Sequence, residues 1–236
     1  MIMMSKVKIL VAEDEAPIRE FIVINLIRAG YDVVEAFDGQ DALEKYQVES
    51  SSIKIAVLDI MMPRMDGLEL CKRLRSMSNN IGIVMLTAKT QEMDKVTGLL
   101  LGADDYITKP FSPSEFTARV DALARRVTAV KSNDASDENV IVSGPFRLDC
   151  KSRSLTKNDI YIDITQVEFQ ILEYFFRNQG TALGRTDILN YVWGADYYGE
   201  EKIVDVNIRR VRKKIEDDPS NPKHLLTIWG LGYKWV

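Results

Sequence analysis

The sequence predicts a doubly wound α/β domain over residues 1–126, followed by an α+β domain over residues 139–236. Five short apolar runs occur in the first part, and the segments between them have the apolar spacing of helices. Apolar runs without polar alternation are typical of parallel strands buried on both faces, and the helices would supply the crossovers. The second part begins with short alternating strands and ends in a hairpin, with amphipathic helices between them, which predicts an α+β fold.

Five strands and their flanking helices account for the first domain. Pro17 suits an early helical position, and Gly30 and Gly102 suit helix ends. Strand and helix alternate throughout, so we expect a five-stranded parallel sheet with helices on both faces. The predicted strands are Val7–Ala12, Val33–Ala36, Ile55–Leu58, Ile81–Leu86 and Tyr106–Thr108.

Composition restricts the class of protein. Residues 127–138 are rich in Ser, Asn and Asp, which predicts a flexible linker. The chain is 46% hydrophobic and 28% charged, as is typical of a soluble globular protein. Its apolar runs are too short to span a bilayer and no signal-peptide pattern is present, which predicts a cytoplasmic protein without a membrane partner. Cys71 and Cys150 are far apart in the chain, which favours free thiols over a disulfide or zinc site.

Three helices and a hairpin are predicted for the second domain. Thr165 and Glu168 have the spacing of a capping box that opens the first helix. Apolar residues of the third helix recur at helical spacing along one face. The helices are expected to begin near Gln166, Arg185 and Glu200, and the hairpin strands to span Leu225–Ile228 and Tyr233–Val236.

Polar side chains stand at the ends of four predicted strands. They are Glu13 and Asp14 after the first, Asp59 at the third, Thr87 at the fourth and Lys109 at the fifth. Ligands bind at the carboxyl ends of strands in open α/β sheets. Crowded carboxylates repel unless a cation neutralises them, and hard oxygen ligands favour Mg²⁺. Each residue alone is more typical of a turn, a cap or a solvated surface, but their joint spacing favours a site at which Asp59 accepts a phosphoryl group.

The third helix of the second domain is strongly basic. Arg209 to Lys214 contains five basic residues, interleaved with apolar positions. A helix fits the major groove of DNA, and basic side chains contact phosphates and bases. A solvated helix face is the alternative reading of such a charge run, and it usually carries acidic partners four residues away. Within the predicted helix, Asp205 stands four residues before Arg209, and the other basic residues of the cluster have no acidic partner at this spacing inside the helix. The pattern therefore favours nucleic-acid binding.

Four segments of the first domain resemble the receiver of two-component response regulators, which has a flavodoxin-like fold. They are Val11–Glu15, Leu58–Gly67, Leu86–Ala88 and Gly102–Phe111. This resemblance implies that Asp59 accepts phosphate from a sensor histidine kinase, while Thr87 and Lys109 contact the phosphoryl group. It also implies that Tyr106 is a switch residue and that the Lys109–Pro110 peptide bond is cis. By the same resemblance the Mg²⁺ ligands are Glu13, Asp14, Asp59 and the backbone carbonyl of Met61, and Met61 and Lys89 tune the phosphate lifetime.

The second domain resembles the winged helix-turn-helix effector of the OmpR/PhoB subfamily. The segments that carry this resemblance are Thr165–Phe169, Val192–Gly194, Val204–Ile215 and Gly230–Tyr233. It implies that the helix from Glu200 enters the major groove and that the loop from Gly194 to Gly199 faces RNA polymerase. Trp229 replaces the Arg that many members have, so we expect it to pack on the backbone or the core. Expected DNA contacts are Asn207, Arg210 and Arg212 near bases, and Arg209, Lys213 and Lys214 near phosphates.

The resemblance further implies a symmetric homodimer when Asp59 is phosphorylated, which would place two winged helices on tandem half-sites of double-stranded DNA. The expected ion pairs between subunits are Lys95 with Glu115, Asp105 with Arg119, and Asp104 with Arg126. A further pair common in the family is missing, because Leu100 and Asp121 occupy its positions. Surface pairs contribute little singly, so this loss changes the affinity only modestly.

Two alternatives of other classes are open. A phosphohydrolase of doubly wound fold would use Asp59 as nucleophile, but it usually has a second Asp two residues later, where this chain has Met61. A DNA-binding regulator with a degenerate receiver would not need phosphate, yet all the pocket residues named above are present. We therefore expect a transcription regulator that is not an enzyme.

Overall fold

The computed structural model describes residues 6–88, 102–128, 139–195, 197 and 199–236. The chain divides into two compact units, Met1–Thr128 and Ala129–Val236. No helix in the described part of the chain has both the length and the apolar character that a membrane crossing requires.

Strands and helices alternate in the first unit. Its strands are β1 (Lys8–Ala12), β2 (Asp32–Ala36), β3 (Ile53–Asp59), β4 (Gly82–Ala88) and β5 (Asp105–Lys109). Its described helices are α1 (Ala16–Arg28), α2 (Gly39–Glu49), α3 (Gly67–Met77) and α4 (Pro113–Thr128). The five strands form one sheet in the order β2-β1-β3-β4-β5, and every neighbouring pair is parallel. The predicted doubly wound α/β fold is confirmed.

Burial explains the apolar runs of this unit. The middle of the sheet is fully covered, with Ile9, Val57 and Leu86 at 0% exposure. Side chains of α1 and α4, such as Leu26 and Phe116, pack with these strands in one core. Because every strand points the same way, the polar residues that follow the apolar runs collect at one edge of the sheet.

Gly67 allows a close approach beside the end of β3. A Cβ at this position would overlap the carbonyl oxygen of Asp59. The amide of Gly67 also donates to the carbonyl oxygen of Ile60, at 3.0 Å. The absent side chain thus lets α3 begin directly against the strand end that carries Asp59.

The second unit combines two antiparallel sheets with three helices among its described residues. A four-stranded sheet contains β6 (Val140–Ser143), β7 (Phe146–Asp149), β8 (Ser154–Lys157) and β9 (Ile160–Ile162). A three-stranded sheet has the order β10 (Ala182–Gly184), β12 (Gly232–Trp235), β11 (Leu225–Ile228). The helices are α5 (Gln166–Arg177), α6 (Arg185–Trp193) and α7 (Lys202–Ile215).

Predicted local features of the second unit are present. The hydroxyl of Thr165 accepts from the amide of Glu168, whose carboxylate accepts from the amide of Thr165 at 2.8 Å, so the capping box is confirmed. Trp193 and Trp235 are almost fully buried. Trp235 also packs edge-on against Phe146, with ring centroids 5.3 Å apart, which joins the two sheets through one aromatic core.

Candidate functional site

The sheet brings together the polar residues predicted at its carboxyl edge. Carboxylate oxygens of Glu13, Asp14 and Asp59 all lie within 4.8 Å of one another. Glu13 is fully buried and Asp59 is 5% exposed, whereas Asp14 faces solvent. We call these three residues the acidic cluster.

Lys109 links two members of the acidic cluster. Its Nζ lies 2.8 Å from Oε2 of Glu13 and 2.7 Å from Oδ1 of Asp59. The other oxygen of Asp59, Oδ2, accepts from the backbone amide of Met61 at 3.1 Å. Both oxygens of Asp59 are therefore oriented by donors, which is the arrangement that an acceptor carboxylate needs.

Burial and crowding shift the ionisation of the cluster. Burial, together with the charge of Asp59, raises the pKa of Glu13 to about 7, although Lys109 opposes the shift. Burial also raises the pKa of Asp59, again against Lys109. The pKa of Lys109 is raised because attraction to Asp59 and Glu13 outweighs the cost of burying its charge. The ammonium of Lys109 therefore does not fully offset the free-energy cost of ionising the buried carboxyl groups of Glu13 and Asp59.

The acidic cluster fits a divalent cation with oxygen ligands. Three carboxylates from two strand ends present hard oxygen atoms within a small volume. Burial raises the pKa of Glu13, so a further positive charge, either a proton or a cation, would stabilise the pocket. Glu13, Asp14 and Asp59 could therefore hold Mg²⁺.

The remaining predicted pocket residues are placed as follows. Thr87 is buried at the end of β4, and its hydroxyl donates to the carbonyl oxygen of Ala88 at 3.3 Å. Tyr106 is 6% exposed in β5. The predicted cis peptide bond between Lys109 and Pro110 is confirmed. The side chain of Met61 is 66% exposed at the rim, and Lys89 lies outside the described residues.

The predicted basic helix of the second unit is α7, and its six expected DNA contacts fall into different environments. Arg209 and Lys213 are exposed. Lys214 is exposed as well, but its Nζ lies 2.7 Å from Oε2 of Glu168. Arg212 is half-buried. All three residues expected near phosphates are therefore exposed, and Lys214 is in addition paired with Glu168.

Asn207 and Arg210 differ from the expectation that they approach bases. Asn207 is fully buried and donates to the carbonyl oxygen of Ile203 at 2.9 Å. Arg210 is 6% exposed, donates to Oδ1 of Asn207 at 3.2 Å, and lies 3.0 Å from Oε1 of Glu168. A base contact would require these side chains to leave these buried partners, and their approach to bases stays a prediction.

Arg212 joins α7 to the C-terminal hairpin rather than pointing away from the domain. It donates to the carbonyl oxygen of Leu225 at 2.8 Å and to Oγ1 of Thr227 at 2.9 Å. Its guanidinium also lies 5.5 Å from the ring centroid of Tyr233. The hairpin strand β11 is therefore held alongside the basic helix.

Sequence reasoning missed a second arginine in this region. Arg185, at the start of α6, donates to Oδ1 of Asp205 at 2.8 Å, and its guanidinium lies 5.1 Å from the ring centroid of Tyr233. The hydroxyl of Tyr233 donates to the same oxygen of Asp205 at 2.6 Å. The position of Arg185 at a helix start was the available signal, but its tertiary partners are not visible in the sequence.

The turn of the C-terminal hairpin presents an apolar tip. Trp229 is 92% exposed and Leu231 is 51% exposed. Of the two expected positions of Trp229, packing on the core is therefore wrong, and packing on the backbone stays a prediction. Gly230 has φ of +75°, and the amide of Leu231 donates to the carbonyl oxygen of Ile228 at 3.1 Å, so a tight turn holds Trp229 outward. Residues 196 and 198 of the predicted polymerase-facing loop lie outside the described residues.

The charges expected at a dimer interface have partners within one chain. Arg119 lies 3.3 Å from Oδ1 of Asp105 and 2.9 Å from Oε1 of Glu115. Nη2 of Arg75 lies 2.5 Å from Oδ2 of Asp104. The four charges Asp104, Asp105, Arg119 and Arg126 are all buried, and Lys95 is outside the described residues. Their predicted place at a dimer interface stays a prediction, and it requires these four side chains to become more accessible than they are here.

Two family models match the chain. The model described as "Response regulator receiver domain" matches residues 9–121, and that described as "Transcriptional regulatory protein, C terminal" matches residues 158–235. The first covers the sheet that carries the acidic cluster, and the second covers α5, α6, α7 and the C-terminal hairpin.

Similar proteins agree with both matches. The sensory transduction protein RegX3 of Mycolicibacterium smegmatis is 42% identical over 227 residues, covering 96% of this chain and 97% of that protein. The alkaline phosphatase synthesis transcriptional regulatory protein PhoP of Bacillus subtilis is 44% identical over 231 residues, covering 96% and 95%. The crystal structure of DrrB, a Thermotoga maritima OmpR/PhoB homologue, is 28% identical with a TM-score of 0.50, covering 98% and 99%. The chain therefore belongs to the OmpR/PhoB family of two-component response regulators, and it is a transcriptional regulator with a receiver and a DNA-binding domain.

Proposed function

We propose that Asp59 accepts a phosphoryl group from a sensor histidine kinase and that this event controls DNA binding by the second unit. The observation that carries the proposal is the placement of Lys109, whose ammonium contacts both Asp59 and Glu13 at the carboxyl edge of the sheet. An oxygen of Asp59 would bond to phosphorus as the bond from phosphorus to the kinase imidazole breaks. The proton that the imidazole needs would come from solvent.

Each pocket residue then has a defined task. The ammonium of Lys109 can move from the carboxylate of Asp59 to an oxygen of the new phosphoryl group. The hydroxyl of Thr87 can rotate and donate a hydrogen bond to another phosphoryl oxygen. Tyr106, next to these residues on β5, would respond to the position of Thr87. Glu13, Asp14, Asp59 and the Met61 carbonyl would hold Mg²⁺, which supplies charge neutralisation for the incoming phosphoryl group. Met61 occupies the position at which a phosphohydrolase has its second carboxylate. The turnover that we propose is therefore limited to slow hydrolysis of the phosphoryl group on Asp59.

A direct test uses the full chain with acetyl phosphate and Mg²⁺. Intact-mass spectrometry should show one added phosphoryl group, and peptide mapping should place it on Asp59. Omitting Mg²⁺ should remove the modification. Phosphate on another side chain, or none at all, would contradict the proposal and favour a regulator that does not depend on phosphorylation.

We propose further that α7 enters the major groove of double-stranded DNA, with Arg209 and Lys213 contacting phosphates. Both are exposed on the helix, whereas Asn207 and Arg210 keep their partners inside the domain. Two such units on tandem half-sites would follow from a phosphorylated homodimer. RNA polymerase is the proposed partner for the loop from Gly194 to Gly199. Because its proposed target is DNA, we propose that the protein acts in the cytoplasm.

Removal of the exposed charges should weaken DNA binding in a salt-dependent way. We expect Arg209→Ala and Lys213→Ala each to reduce the slope of log K against log salt by about 1, because each would remove one phosphate contact. Fluorescence anisotropy with a labelled promoter fragment at several salt concentrations measures the slope. Lys151→Ala, an exposed lysine in the turn after β7, is the matched control and should leave the slope unchanged. Equal slopes for the wild type and the three variants would refute the proposal that Arg209 and Lys213 contact phosphates.

Trp229 should become protected when DNA binds. Trp193 and Trp235 are buried, so collisional quenching by acrylamide reports mainly on Trp229, which is 92% exposed. Because Arg212 holds the hairpin beside α7, we expect its tip to touch the duplex backbone and its quenching to fall severalfold in the complex. Trp229→Phe should lack the effect. Unchanged quenching at saturating DNA would place the tip away from the duplex.

The proposed dimer requires the buried pairs near α4 to rearrange. Arg119→Glu would leave Asp105 beside a second carboxylate and so disturb folding, which makes Glu115→Gln the cleaner variant. We expect Glu115→Gln to weaken the phosphorylated dimer about two- to fivefold, the range of a single surface pair. Sedimentation with acetyl phosphate and Mg²⁺ measures the dimer, and Glu44→Gln on α2 is the control. A dimer of unaltered strength would exclude Glu115 from the interface.

A further inference from the structure

Arg19, in the first turns of α1, contacts the loop that carries two members of the acidic cluster. Its Nη1 donates to the carbonyl oxygen of Glu13 at 2.8 Å and to that of Asp14 at 3.3 Å. Its Nε lies 3.7 Å from Oε2 of Glu35 on β2. The side chain is 18% exposed, so the guanidinium is largely withdrawn from water.

These two hydrogen bonds act on the direction of the Asp14 side chain. A peptide group is planar, so fixing a carbonyl oxygen fixes the plane of that peptide. The carbonyls of Glu13 and Asp14 belong to the two peptides that flank the Cα of Asp14. Holding both planes therefore fixes the direction of its Cα–Cβ bond. Asp14 is exposed, so packing does not hold its carboxylate in place.

Glu13 is affected differently, because packing already holds it. Its side chain is fully buried and its Oε2 lies 2.8 Å from Nζ of Lys109. The bond from Arg19 to its carbonyl fixes the point at which β1 ends and the loop begins. Arg19 thus acts on the acidic cluster through the backbone, without a described contact to any of its carboxylates.

We propose that Arg19 is a positioning residue for the cation pocket: its guanidinium holds the backbone of Glu13 and Asp14 so that their carboxylates are pre-arranged for a divalent cation. The inference rests on the proposed cation-binding function of the acidic cluster. Residues that orient metal ligands commonly change metal affinity by 10- to 100-fold when they are removed. Arg19 would belong to this class although it acts on main-chain atoms.

The test measures cation binding directly in the full chain, with Mn²⁺ as a paramagnetic probe for the Mg²⁺ site. Electron paramagnetic resonance of free Mn²⁺ gives the Kd for the wild type, Arg19→Gln, Arg19→Lys and Arg28→Gln. Arg28 lies exposed in the last turn of the same helix and is the matched control. We expect Arg19→Gln to raise the Kd about tenfold or more, Arg19→Lys to raise it less, and Arg28→Gln to leave it unchanged.

A second readout separates positioning from a general loss of structure. With acetyl phosphate as donor, Arg19→Gln should raise the Mg²⁺ concentration for half-maximal phosphorylation while the rate at saturating Mg²⁺ stays near that of the wild type. If Arg19→Gln does not fold, the Kd of Arg19→Lys is compared with that of the wild type, and this comparison tests the inference. Wild-type affinity in the Arg19 variants, or equal weakening in Arg28→Gln, would overturn the inference. Failure of the wild type to bind Mn²⁺ would instead overturn the proposed function of the pocket.

Discussion

Replacing Asp59 by Asn should abolish phosphorylation of the full chain and, with it, any increase in DNA affinity on treatment with acetyl phosphate. The amide keeps the shape of the side chain but lacks the nucleophilic carboxylate. It also removes one ligand from the acidic cluster and the charge that Lys109 contacts at 2.7 Å. Intact-mass spectrometry measures the modification, and anisotropy with a promoter fragment measures the affinity before and after treatment.

A carboxylate outside the pocket provides the control for this change. Asp32 is exposed at the start of β2, at the opposite end of the strand from the acidic cluster. Asp32→Asn should be phosphorylated to the same extent as the wild type and should show the same gain in affinity. Phosphate retained by Asp59→Asn would mean that another residue is the acceptor. A wild type that gains phosphate but no affinity would separate the receiver chemistry from the control of DNA binding.

The receiver pocket could be predicted from the sequence because it depends on topology. Polar residues that follow buried parallel strands must meet at one edge of the sheet, and the observed contacts of Lys109 with Glu13 and Asp59 follow from that rule. Arg19 could not be predicted in the same way. Its acceptors are carbonyl oxygens, which every residue has, so the residue type of the partner carries no signal.

The basic helix shows the limit of reasoning from charge. The sequence does not show which faces of α7 are buried, so charge alone does not divide its basic residues among bases, phosphates and the interior of the domain. Asn207, Arg210 and Lys214 are spaced three and four residues apart and so share one face. The sequence pattern identifies Glu168 as part of a capping box but does not show its burial. A buried carboxylate requires positive partners, and Arg210 and Lys214 on this face supply them. A buried acid on a neighbouring helix thus gives two candidate DNA contacts, Arg210 and Lys214, a partner within the domain.

Replacing Glu168 by Ala should therefore destabilise the second unit strongly. The Glu168 side chain is fully buried between Arg210, which is 7% exposed, and Lys214. Removing it leaves Arg210 as a buried charge without this partner, which costs about 3–5 kcal/mol. The capping box is lost as well. All three tryptophans lie in the second unit, so tryptophan fluorescence during urea unfolding of the full chain follows this unit.

The control for this prediction lies on the same helix. Glu173 forms an ion pair with Arg177 at 2.9 Å, but Arg177 is 45% exposed, so we expect Glu173→Ala to cost less than about 1 kcal/mol. Equal effects of Glu168→Ala and Glu173→Ala would show that the buried network does not hold α7. Glu168→Gln should fall between them, because the amide can still accept from the backbone of Thr165 but lacks the charge.

Acid should reveal the same network in the wild type. Burial opposes ionisation of Glu168, but the charges of Arg210 and Lys214 outweigh it and hold the pKa of Glu168 below its ordinary value. A depressed pKa means that the unfolded chain binds the proton more readily than the folded one. The stabilisation is then fully present above the ordinary glutamate pKa, about 4.3, and is lost as the pH falls below it. The free energy of unfolding should consequently decrease more steeply with acid in the wild type than in Glu168→Ala. Parallel pH profiles would contradict this, because they would show that Glu168 has the same pKa in the folded and the unfolded chain.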